Sequence, residues 1–417
     1  MVTEEIIEPV ASRAREPAEA AGGERVGLTL GLLSTLAFFV SIDARMVAPL
    51  LPAIAASLHT SVGAAGLIVT AYSLPYGLFQ IAYGPLADRF GKVAVVRSAV
   101  LLFGAGTLGC GFARDLPSLM VLRIVTGAFA ASVFPMALAY IGDVVPMSRR
   151  QQTIGNLVTA TSVATALSPA IGGVIAALLS WRDLFIACGV LTLPPALLLY
   201  RVRSHAPRLD RATAAAHSLR ALLGPFGAVL RTENALIIDA LVFVEGALTA
   251  GITYLGAFLH DEYGLDYARI GLLLGLYGVG TMATARLIGQ AARRWSSPRL
   301  VLGGGLLLAV SYLLLLGPHR QPLFAVAMLV MGVGFVLCHS TLQTRVTEAV
   351  PSLRGTAVAL FAFSLFLGSG AGTAILSVLL TAFGYEALLL VCGLGLALFA
   401  AAGAVAMRRV VQLQAAR

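Results

Sequence analysis

Long runs of apolar residues dominate the chain, and short polar segments separate them. Each run is about as long as the 20 residues that an α-helix needs to cross a bilayer. The runs are continuously apolar and do not alternate with polar residues, so the pattern predicts membrane-spanning helices rather than the strands of a membrane barrel. Twelve such runs, called spans 1 to 12 below, lie near residues 27–54, 62–84, 93–112, 116–139, 152–178, 183–202, 234–259, 268–289, 299–317, 322–344, 353–382 and 386–408.

The composition places these helices in lipid rather than in the core of a soluble protein. Apolar residues form 58% of the 417 residues and charged residues form 12%, whereas soluble domains have roughly 45–50% and 25%. So small a charged fraction cannot cover the surface of a soluble protein of this length. We therefore predict an all-α polytopic membrane protein, because helices satisfy their own backbone hydrogen bonds in lipid.

The basic residues predict how the chain lies in the membrane. Of the 29 lysines and arginines, 23 fall in tails and loops on one side, four fall in loops on the other side, and two lie within spans. Loops rich in Lys and Arg stay in the cytoplasm, so both termini are predicted to be cytoplasmic. The expected location is the plasma (inner) membrane of a bacterium. Because topology explains the net charge of +9, nucleic acid is not an expected partner.

A long basic loop divides the chain into six spans and six spans. The first segment is acidic and lacks the basic region and cleavage site of a signal peptide, so we interpret it as a solvated tail. The predicted units are an acidic cytoplasmic tail, a six-helix bundle, a cytoplasmic linker, a second six-helix bundle and a short cytoplasmic tail, at residues 1–25, 26–202, 203–232, 233–409 and 410–417.

The two predicted bundles share their spacing, which favours an origin by duplication. A shift of 205 residues superimposes loop residues of the first half on those of the second: Gly84 on Gly289, Arg89 on Arg294, and Arg149 on Arg354. Two six-span halves arranged as parallel repeats are an architecture of secondary transporters.

No pattern typical of an enzyme or a metal protein occurs in the sequence. The four cysteines lie in or beside apolar runs without CxxC spacing, and the six histidines are scattered. A phosphate-binding loop and a nucleophile constellation are both missing from the sequence. We therefore predict no enzymatic activity, no cofactor and no bound metal.

The loop between spans 2 and 3 carries the most distinctive motif, Gly84-Pro-Leu-Ala-Asp88-Arg89-Phe-Gly91-Lys92. Gly84 permits close helix approach, and Gly91 suits a tight turn. Asp88 can stabilise the N-terminus of a neighbouring helix, while Arg89 and Lys92 favour a cytoplasmic loop. The motif closely resembles the loop at the same position in the major facilitator superfamily.

Further segments resemble the same superfamily, and in particular its twelve-span drug:proton antiporter branch. Arg123 begins an Arg-x-x-x-Gly segment on span 4, and residues 168–173 resemble the end of the antiporter signature on span 5. Ser168 stands where that signature usually has glycine. The resemblance covers nearly the whole chain after residue 26 and implies the major facilitator fold, with twelve transmembrane helices in two pseudo-symmetric bundles. It also implies a helix-packing role for Pro169, Gly172 and Gly173.

Three ionisable residues within spans are candidates for a functional role, because a charge in the membrane interior is costly. Asp43 on span 1 and Arg123 on span 4 lie at similar predicted depths. Spans 1 and 4 both line the central cavity in the family fold, so an ion pair is plausible. Glu245 lies near the midplane of span 7, the counterpart of span 1. We interpret all three as proton-coupling residues, and purely structural roles are the alternative.

Other polar residues within spans are less favoured as functional groups. Asp239 lies nearer the cytoplasmic rim of span 7, about 120° from Glu245 around the helix. Arg45 is about 200° from Asp43, so we expect it to make another contact or to extend toward the membrane surface. His339 is expected at the cytoplasmic rim of span 10 rather than in a proton relay.

One face of span 1 is a candidate substrate surface. Phe39, Asp43 and Met46 share this face at spacings of four and three residues. An apolar, aromatic and adaptable surface around one carboxylate suits lipophilic or cationic compounds. Tyr254 is a weaker candidate for a substrate contact, and simple helix packing is the alternative reading of the stripe.

These patterns together predict a secondary active transporter. It would export small lipophilic or cationic compounds in exchange for protons, by alternating movement of the two halves. We expect a monomer whose partners are a small-molecule substrate, protons and the lipid bilayer, with the proton gradient as its energy source. Two alternatives remain: a proton symporter that imports a sugar or another organic solute, and a non-transporting membrane sensor or assembly factor on the same fold.

The resemblance also implies a conformational latch on the cytoplasmic side. Asp88 would contact the start of span 11 near Arg354, and Asp143 would pair with a basic residue of the loop motif. The residues assigned to this latch are Gly84, Asp88, Arg89, Gly91, Lys92, Asp143, Arg149 and Arg354.

Overall fold

The computed structural model describes residues 8–202, 219–316 and 321–415, and the regular structure in these ranges is helical. The first half contains the α-helices Glu8–Arg45, Leu51–Ser57, Val62–Phe90, Lys92–Cys110, Leu116–Ala130, Val133–Val144, Met147–Leu178 and Trp181–Arg201. The second half contains Leu219–Leu230, Glu233–Thr249, Ile252–Tyr263, Tyr267–Arg294, Ser297–Leu314, Gln321–Ala349 and Arg354–Ala415. Two short 3-10 helices, Ala48–Leu50 and Pro351–Leu353, connect helices of these halves.

Eleven helical stretches of the described chain are long and apolar enough to cross a membrane. The last stretch, Pro351–Gln414, has 64 residues, which as one helix would extend about 96 Å, three times the roughly 30 Å hydrocarbon core. Its backbone leaves the helical conformation at Gly384, where φ is 79°. The stretch therefore supplies both span 11 and span 12, and the predicted twelve-span all-α fold is confirmed.

Spans 1, 4 and 7 are each interrupted near their middle. Their helices stop at Arg45, Ala130 and Thr249 and resume within a few residues. Irregular backbone at membrane depth is tolerated only where protein or a cavity surrounds it. Asp43 and Glu245 lie two and four residues before these helix ends and are therefore close to irregular backbone, whereas Arg123 lies seven residues before its helix end.

Local sequence explains where several spans begin and end. Gly91 ends span 2 with a φ of 86°, a conformation that favours glycine, and its N–H bonds the carbonyl of Ala87. Asp115 begins span 4 by accepting a hydrogen bond of 2.8 Å from the backbone N–H of Ser118. This bond and one with the Ser118 hydroxyl hold the pKa of Asp115 below its usual value.

The ends of the molecule differ in how closely the two halves approach. We call the end with the loops at Gly91, Pro146 and Pro351 the basic end, and the end with the loops at Thr60, Gly264 and Gly384 the opposite end. At the opposite end the halves pack without space for additional atoms. A side chain at Gly63 would collide with Ser377 and Thr381, and one at Gly66 would collide with Tyr254.

At the basic end several glycines have room around them, as do the loop residues Gly264 and Gly384 of the opposite end. A side-chain atom added at Gly84, Gly142, Gly289 or Gly355 would meet no other atom within 4 Å. The contact between spans 2 and 11 includes Gly77 against Phe366, nearer the middle of the molecule. The two halves are thus closed against each other at the opposite end.

The predicted tails and linker are described only in part. The first helix begins at Glu8, so residues 8–25 of the predicted acidic tail are helical. Residues 203–218 of the predicted linker lie outside the described residues, and its remainder includes the helix Leu219–Leu230. The last helix continues through Ala415, into the predicted C-terminal tail.

Candidate transport site

A cavity of about 290 Å³ lies between the two halves. Residues of spans 1, 2 and 5 line it from the first half, and residues of spans 7, 8, 9, 10 and 11 line it from the second. Its wall contains the aromatic residues Tyr72, Tyr76, Tyr277, Phe335 and Phe366 together with several serine and threonine hydroxyls. A cavity with an apolar aromatic wall and scattered hydroxyls can hold a small amphipathic molecule.

Arg45 is the formally charged residue in this lining. Its side chain is exposed to the cavity, and its guanidinium carbon lies 5.9 Å from the centre of the Tyr277 ring. Among the ion pairs of the described residues, none involves Arg45. The contact with Tyr277 means that Arg45 turns toward the second half instead of extending to the membrane surface.

Asp43 and Arg123 meet inside the first half. Arg123 Nη1 donates to Asp43 Oδ2 at 2.7 Å, and both side chains are buried. The guanidinium carbon lies 4.2 Å from the centre of the Tyr72 ring and 5.7 Å from that of Phe185. Since Tyr72 also lines the cavity, the ion pair lies directly behind the cavity wall.

Glu245 meets a different partner inside the second half. Glu245 Oε2 lies 3.1 Å from Nδ1 of His339, whose side chain is 16% exposed while that of Glu245 is fully buried. The imidazole stacks on Phe335 with ring centres 4.8 Å apart and an angle of 10°, and it also contacts Phe361. The expectation that His339 lies at the rim was wrong, because its ring reaches a buried carboxylate.

The pair of Glu245 and His339 also lies directly behind the cavity wall. Gly246, the next residue after Glu245, lines the cavity, and so does Phe335, on which His339 stacks. The centre of the Tyr277 ring lies 5.9 Å from the guanidinium carbon of Arg45 and 6.1 Å from the centre of the Phe335 ring. Aromatic contacts therefore extend from the cation of the cavity to His339, which stacks on Phe335.

The four residues predicted to contact substrate lie away from the cavity lining. Met46 and Tyr254 are fully buried, and the Tyr254 hydroxyl donates to the carbonyl of Thr373 at 2.8 Å. Phe39 is partly buried against the core, and Asp43 is held by Arg123. Other positions on spans 1 and 7 line the cavity instead: Val40, Ser41, Ala44, Arg45, Val47, Ala48, Gly246, Thr249, Ala250, Ile252 and Thr253.

The loop motif lies at the basic end. Lys92 Nζ donates to a carboxylate oxygen of Asp143 and, at 3.3 Å, to the carbonyl of Ala139. Arg89 is exposed, with its guanidinium carbon 5.1 Å from the centre of the Phe90 ring. The lysine thus ties the start of span 3 to the end of span 4 within the first half.

Among the described side chains, no hydrogen bond or ion pair joins the predicted latch residues of the first half to the second half. Arg149 and Arg354 are exposed, and the side chain of Asp88 lies outside the described part of the chain. A latch between Asp88 and the region of Arg354 therefore stays a prediction.

The predicted packing residues of span 5 lie where the helices approach closely. Pro169 lies within the helix and lines the cavity. A side chain at Gly172 would collide with the carbonyl of Met46, and one at Gly173 would collide with Gly271 on span 8. Small residues at such positions allow helix backbones to approach within a membrane.

Two helical halves around a central cavity are an architecture of secondary transporters. The sequence matches the family model of the Major Facilitator Superfamily over residues 33–373. The chain belongs to this family, as the loop motif predicted. The family consists of transporters, which confirms that the protein is not an enzyme and that it has a small-molecule substrate.

Proteins with similar sequences or structures extend this result. The MFS-type transporter YceJ of Bacillus subtilis (strain 168) is 25% identical over 351 residues, which is 82% of this chain and 87% of the relative. A chloramphenicol resistance protein of Streptomyces lividans is 29% identical over 341 residues, 79% of this chain and 84% of the relative. The crystal structure of a peptide transporter, POT, in complex with sulfate has the same fold, with a TM-score of 0.76 at 15% identity, covering 93% of this chain and 95% of that one.

Proposed function

We propose that the protein exports small lipophilic compounds in exchange for protons, and that Glu245 and His339 couple the two movements. The observation that carries this proposal is the 3.1 Å contact between a fully buried carboxylate and an imidazole. A carboxylate in such a place can hold a proton, and an imidazole ordinarily changes its charge between pH 5 and 8. The contact therefore brings together two groups that can both bind a proton.

A change in protonation at this pair would act on the cavity through its wall. When Glu245 is ionised and His339 is protonated, the two charges attract and hold spans 7 and 10 together. Protonation of the carboxylate weakens that attraction. Because Gly246 and Phe335 belong to the wall, a movement at the pair alters the surface that substrate contacts.

Asp43 and Arg123 form the second part of the proposed coupling machinery. A guanidinium does not give up its proton in proteins. The attraction between the two charges of this pair is therefore lost only when Asp43 takes up a proton. We assign to it the task of holding spans 1 and 4 in place behind Tyr72 while the second half titrates.

The charge pattern of the loops supports an orientation with the basic end in the cytoplasm. In that orientation the halves are closed on the outer side, so the described state is the one that faces the cytoplasm. An exporter loads its substrate in this state. In the outward-facing state, Asp88 and Asp143 with their basic neighbours would hold the basic end closed.

The name of one relative supports export as the direction. A chloramphenicol resistance protein shares 29% of its residues with this chain over most of both lengths. The aromatic wall of the cavity suits an uncharged aromatic compound of that kind. The transport-inactive alternative is disfavoured, because a scaffold has no need for buried charges such as Asp43, Arg123 and Glu245.

Import by proton symport is the second candidate. Ser168, in place of the usual glycine of the span 5 signature, supports it because the antiporter resemblance is weakest there. The direction of coupling separates the two candidates. In vesicles whose interior is acidic relative to the outside, an antiporter of either orientation accumulates substrate inside, whereas a symporter depletes it.

The proposed coupling is tested by replacing Glu245 with Gln in proteoliposomes. Proton exchange is measured by a pH-sensitive dye for compounds that the wild-type protein exchanges, beginning with chloramphenicol. Glu245→Gln should abolish exchange because it removes the titratable carboxylate. The matched control is Glu233→Gln on the same span, where the carboxylate is 48% exposed and pairs with Arg409. Continued proton exchange by Glu245→Gln would refute the carrier role.

A further inference from the structure

We propose that Arg45 and Tyr277 form a subsite for the acidic group of an aromatic ligand, so that the cavity selects aromatic acids over cations. The inference rests on the proposed function only in placing the cargo in this cavity. It adds the chemical class of that cargo. The charge of the lining, its partners and its aromatic surface support the proposal independently.

The first step is the charge of the lining. Arg45 is the one formally charged residue among those that line the cavity. The described ion pairs leave it without a carboxylate partner. A cation within the membrane interior is costly unless an anion or a polar group compensates it. A bound anion would supply that compensation.

The buried carboxylates near the cavity do not pair with the positive charge of Arg45. Asp43 is bound to Arg123 at 2.7 Å, and Glu245 lies 3.1 Å from His339. Both side chains are fully buried behind the wall rather than exposed in the cavity. A cationic ligand would meet the positive charge of Arg45 and no free carboxylate of the lining, so cations are disfavoured.

The geometry of Arg45 suits a planar acid. A guanidinium presents parallel N–H donors that match the two oxygens of a carboxylate. Its position 5.9 Å from the centre of the Tyr277 ring is within the range of a cation–π contact, which restrains the side chain. Ser73 belongs to the same lining and supplies a hydroxyl group for a remaining lone pair of a bound acid, whereas the Ser41 hydroxyl donates to the carbonyl of Ala37 at 2.8 Å.

The rest of the lining suits an aromatic ring. Tyr76 of the first half and Phe366 of the second half lie with ring centres 4.2 Å apart, and both line the cavity. Phe335 and Tyr277 form a second aromatic pair, with ring centres 6.1 Å apart. A volume of about 290 Å³ lies at the small end of known ligand cavities, which favours one or two fused rings.

The test uses three probes of the same shape: 2-naphthoate, 2-naphthamide and 2-naphthylmethylammonium. Their binding to the full chain is measured by calorimetry in nanodiscs of zwitterionic lipid, so that lipid charge does not bias the comparison. We expect 2-naphthoate to bind about tenfold or more tightly than the amide, since hydrogen bonds to charged groups are the stronger ones. The ammonium probe should bind most weakly.

Variants of Arg45 identify the origin of the preference. Arg45→Gln should bring the affinities for the acid and the amide within about threefold of each other, and Arg45→Lys should retain part of the preference because it keeps the charge. Arg269→Gln is the matched control, since Arg269 is 67% exposed and pairs with Asp266. It removes the same charge and should leave the preference unchanged.

Three results would overturn the subsite: 2-naphthoate fails to bind at millimolar concentration, the ammonium probe binds most tightly, or the preference survives in Arg45→Gln. The nanodisc measurement needs no proton gradient, so its outcome is independent of proton exchange. An unchanged acid preference in a protein that exchanges no protons would reject the proposed function and leave the subsite standing.

Discussion

The two halves of the protein contain the same arrangement with different chemistry. In each half, a buried carboxylate on the first span contacts a nitrogen base on the fourth span. Asp43 of span 1 binds Arg123 of span 4, and Glu245 of span 7 lies against His339 of span 10. Both pairs lie behind aromatic residues of the cavity wall. The difference between the halves is the choice of base.

That choice decides what each pair can do. A guanidinium remains protonated in proteins, whereas an imidazole changes its charge between pH 5 and 8. The first pair therefore keeps the charge of its base, and we propose that the second pair is the one that responds to protons. Under that proposal the two halves differ as a fixed half and a proton-responsive half.

Removing the fixed cation should have the largest effect on stability. Arg123→Gln leaves the carboxylate of Asp43 buried without its ion-pair partner, and breaking such a pair costs about 3–5 kcal/mol. We expect the free energy of unfolding to fall by that amount. It can be measured in detergent micelles with a denaturant titration that follows helix content.

The control for this prediction is an exposed ion pair. Arg269→Gln removes an arginine that is 67% exposed and pairs with Asp266, and it should change the free energy of unfolding by less than about 1 kcal/mol. The double variant Asp43→Asn with Arg123→Gln should recover part of the loss, because no charge is left buried. If Arg123→Gln has the same free energy of unfolding as the wild type, the ion pair of the first half does not have the stabilising role assigned to it.

The sequence alone predicts the first pair but not the second. Depth along a helix follows from counting residues, and this arithmetic placed Asp43 and Arg123 at one level. It also identified Glu245 as the counterpart on span 7. The partner of Glu245 could not be found in this way, because a reach between helices depends on tertiary packing. Span 10 corresponds to span 4 in the repeat, and this correspondence could have indicated His339 as the partner.

Which face of span 1 meets the cavity also escapes a prediction from sequence. An ideal helix separates Arg45 from Asp43 by about 200°, and this angle says nothing about which of the two faces the second half. The sequence predicts that the carboxylate of Asp43 contacts substrate. In the structure that carboxylate binds Arg123, and Arg45 lines the cavity. The helix also ends at Arg45, so helical periodicity fails from there on.

Removing the titratable base should affect transport more than stability. In His339→Gln the carboxylate of Glu245 can take up a proton and bond the new amide, so the free energy of unfolding should change by only about 1 kcal/mol. The rate of proton exchange should lose its dependence on pH, because the variant removes a proton-binding group in contact with Glu245. Stopped-flow measurement of proton exchange in proteoliposomes at a series of pH values gives the result.

A second histidine provides the comparison for this variant. His260 lies near the opposite end, where its Nδ1 is 3.0 Å from the carbonyl of Leu265. His260→Gln should keep the pH dependence of the wild type. If His339→Gln also keeps it, then proton coupling does not distinguish the second pair from the first.

The exposed pair of Lys92 and Asp143 should show the smallest effect. Its side chains are 25% and 54% exposed, and exposed ion pairs contribute about 0.2–1 kcal/mol. Lys92→Gln should therefore lower the free energy of unfolding by no more than about 1 kcal/mol, and less in 1 M salt, where the screening length is about 3 Å. The same denaturant titration at low and high salt tests this.

Arg123→Gln should respond little to salt, because water does not reach its partner. A loss at Lys92 as large as that at Arg123 would mean that the position of a pair in the bundle, rather than its exclusion from water, decides its strength.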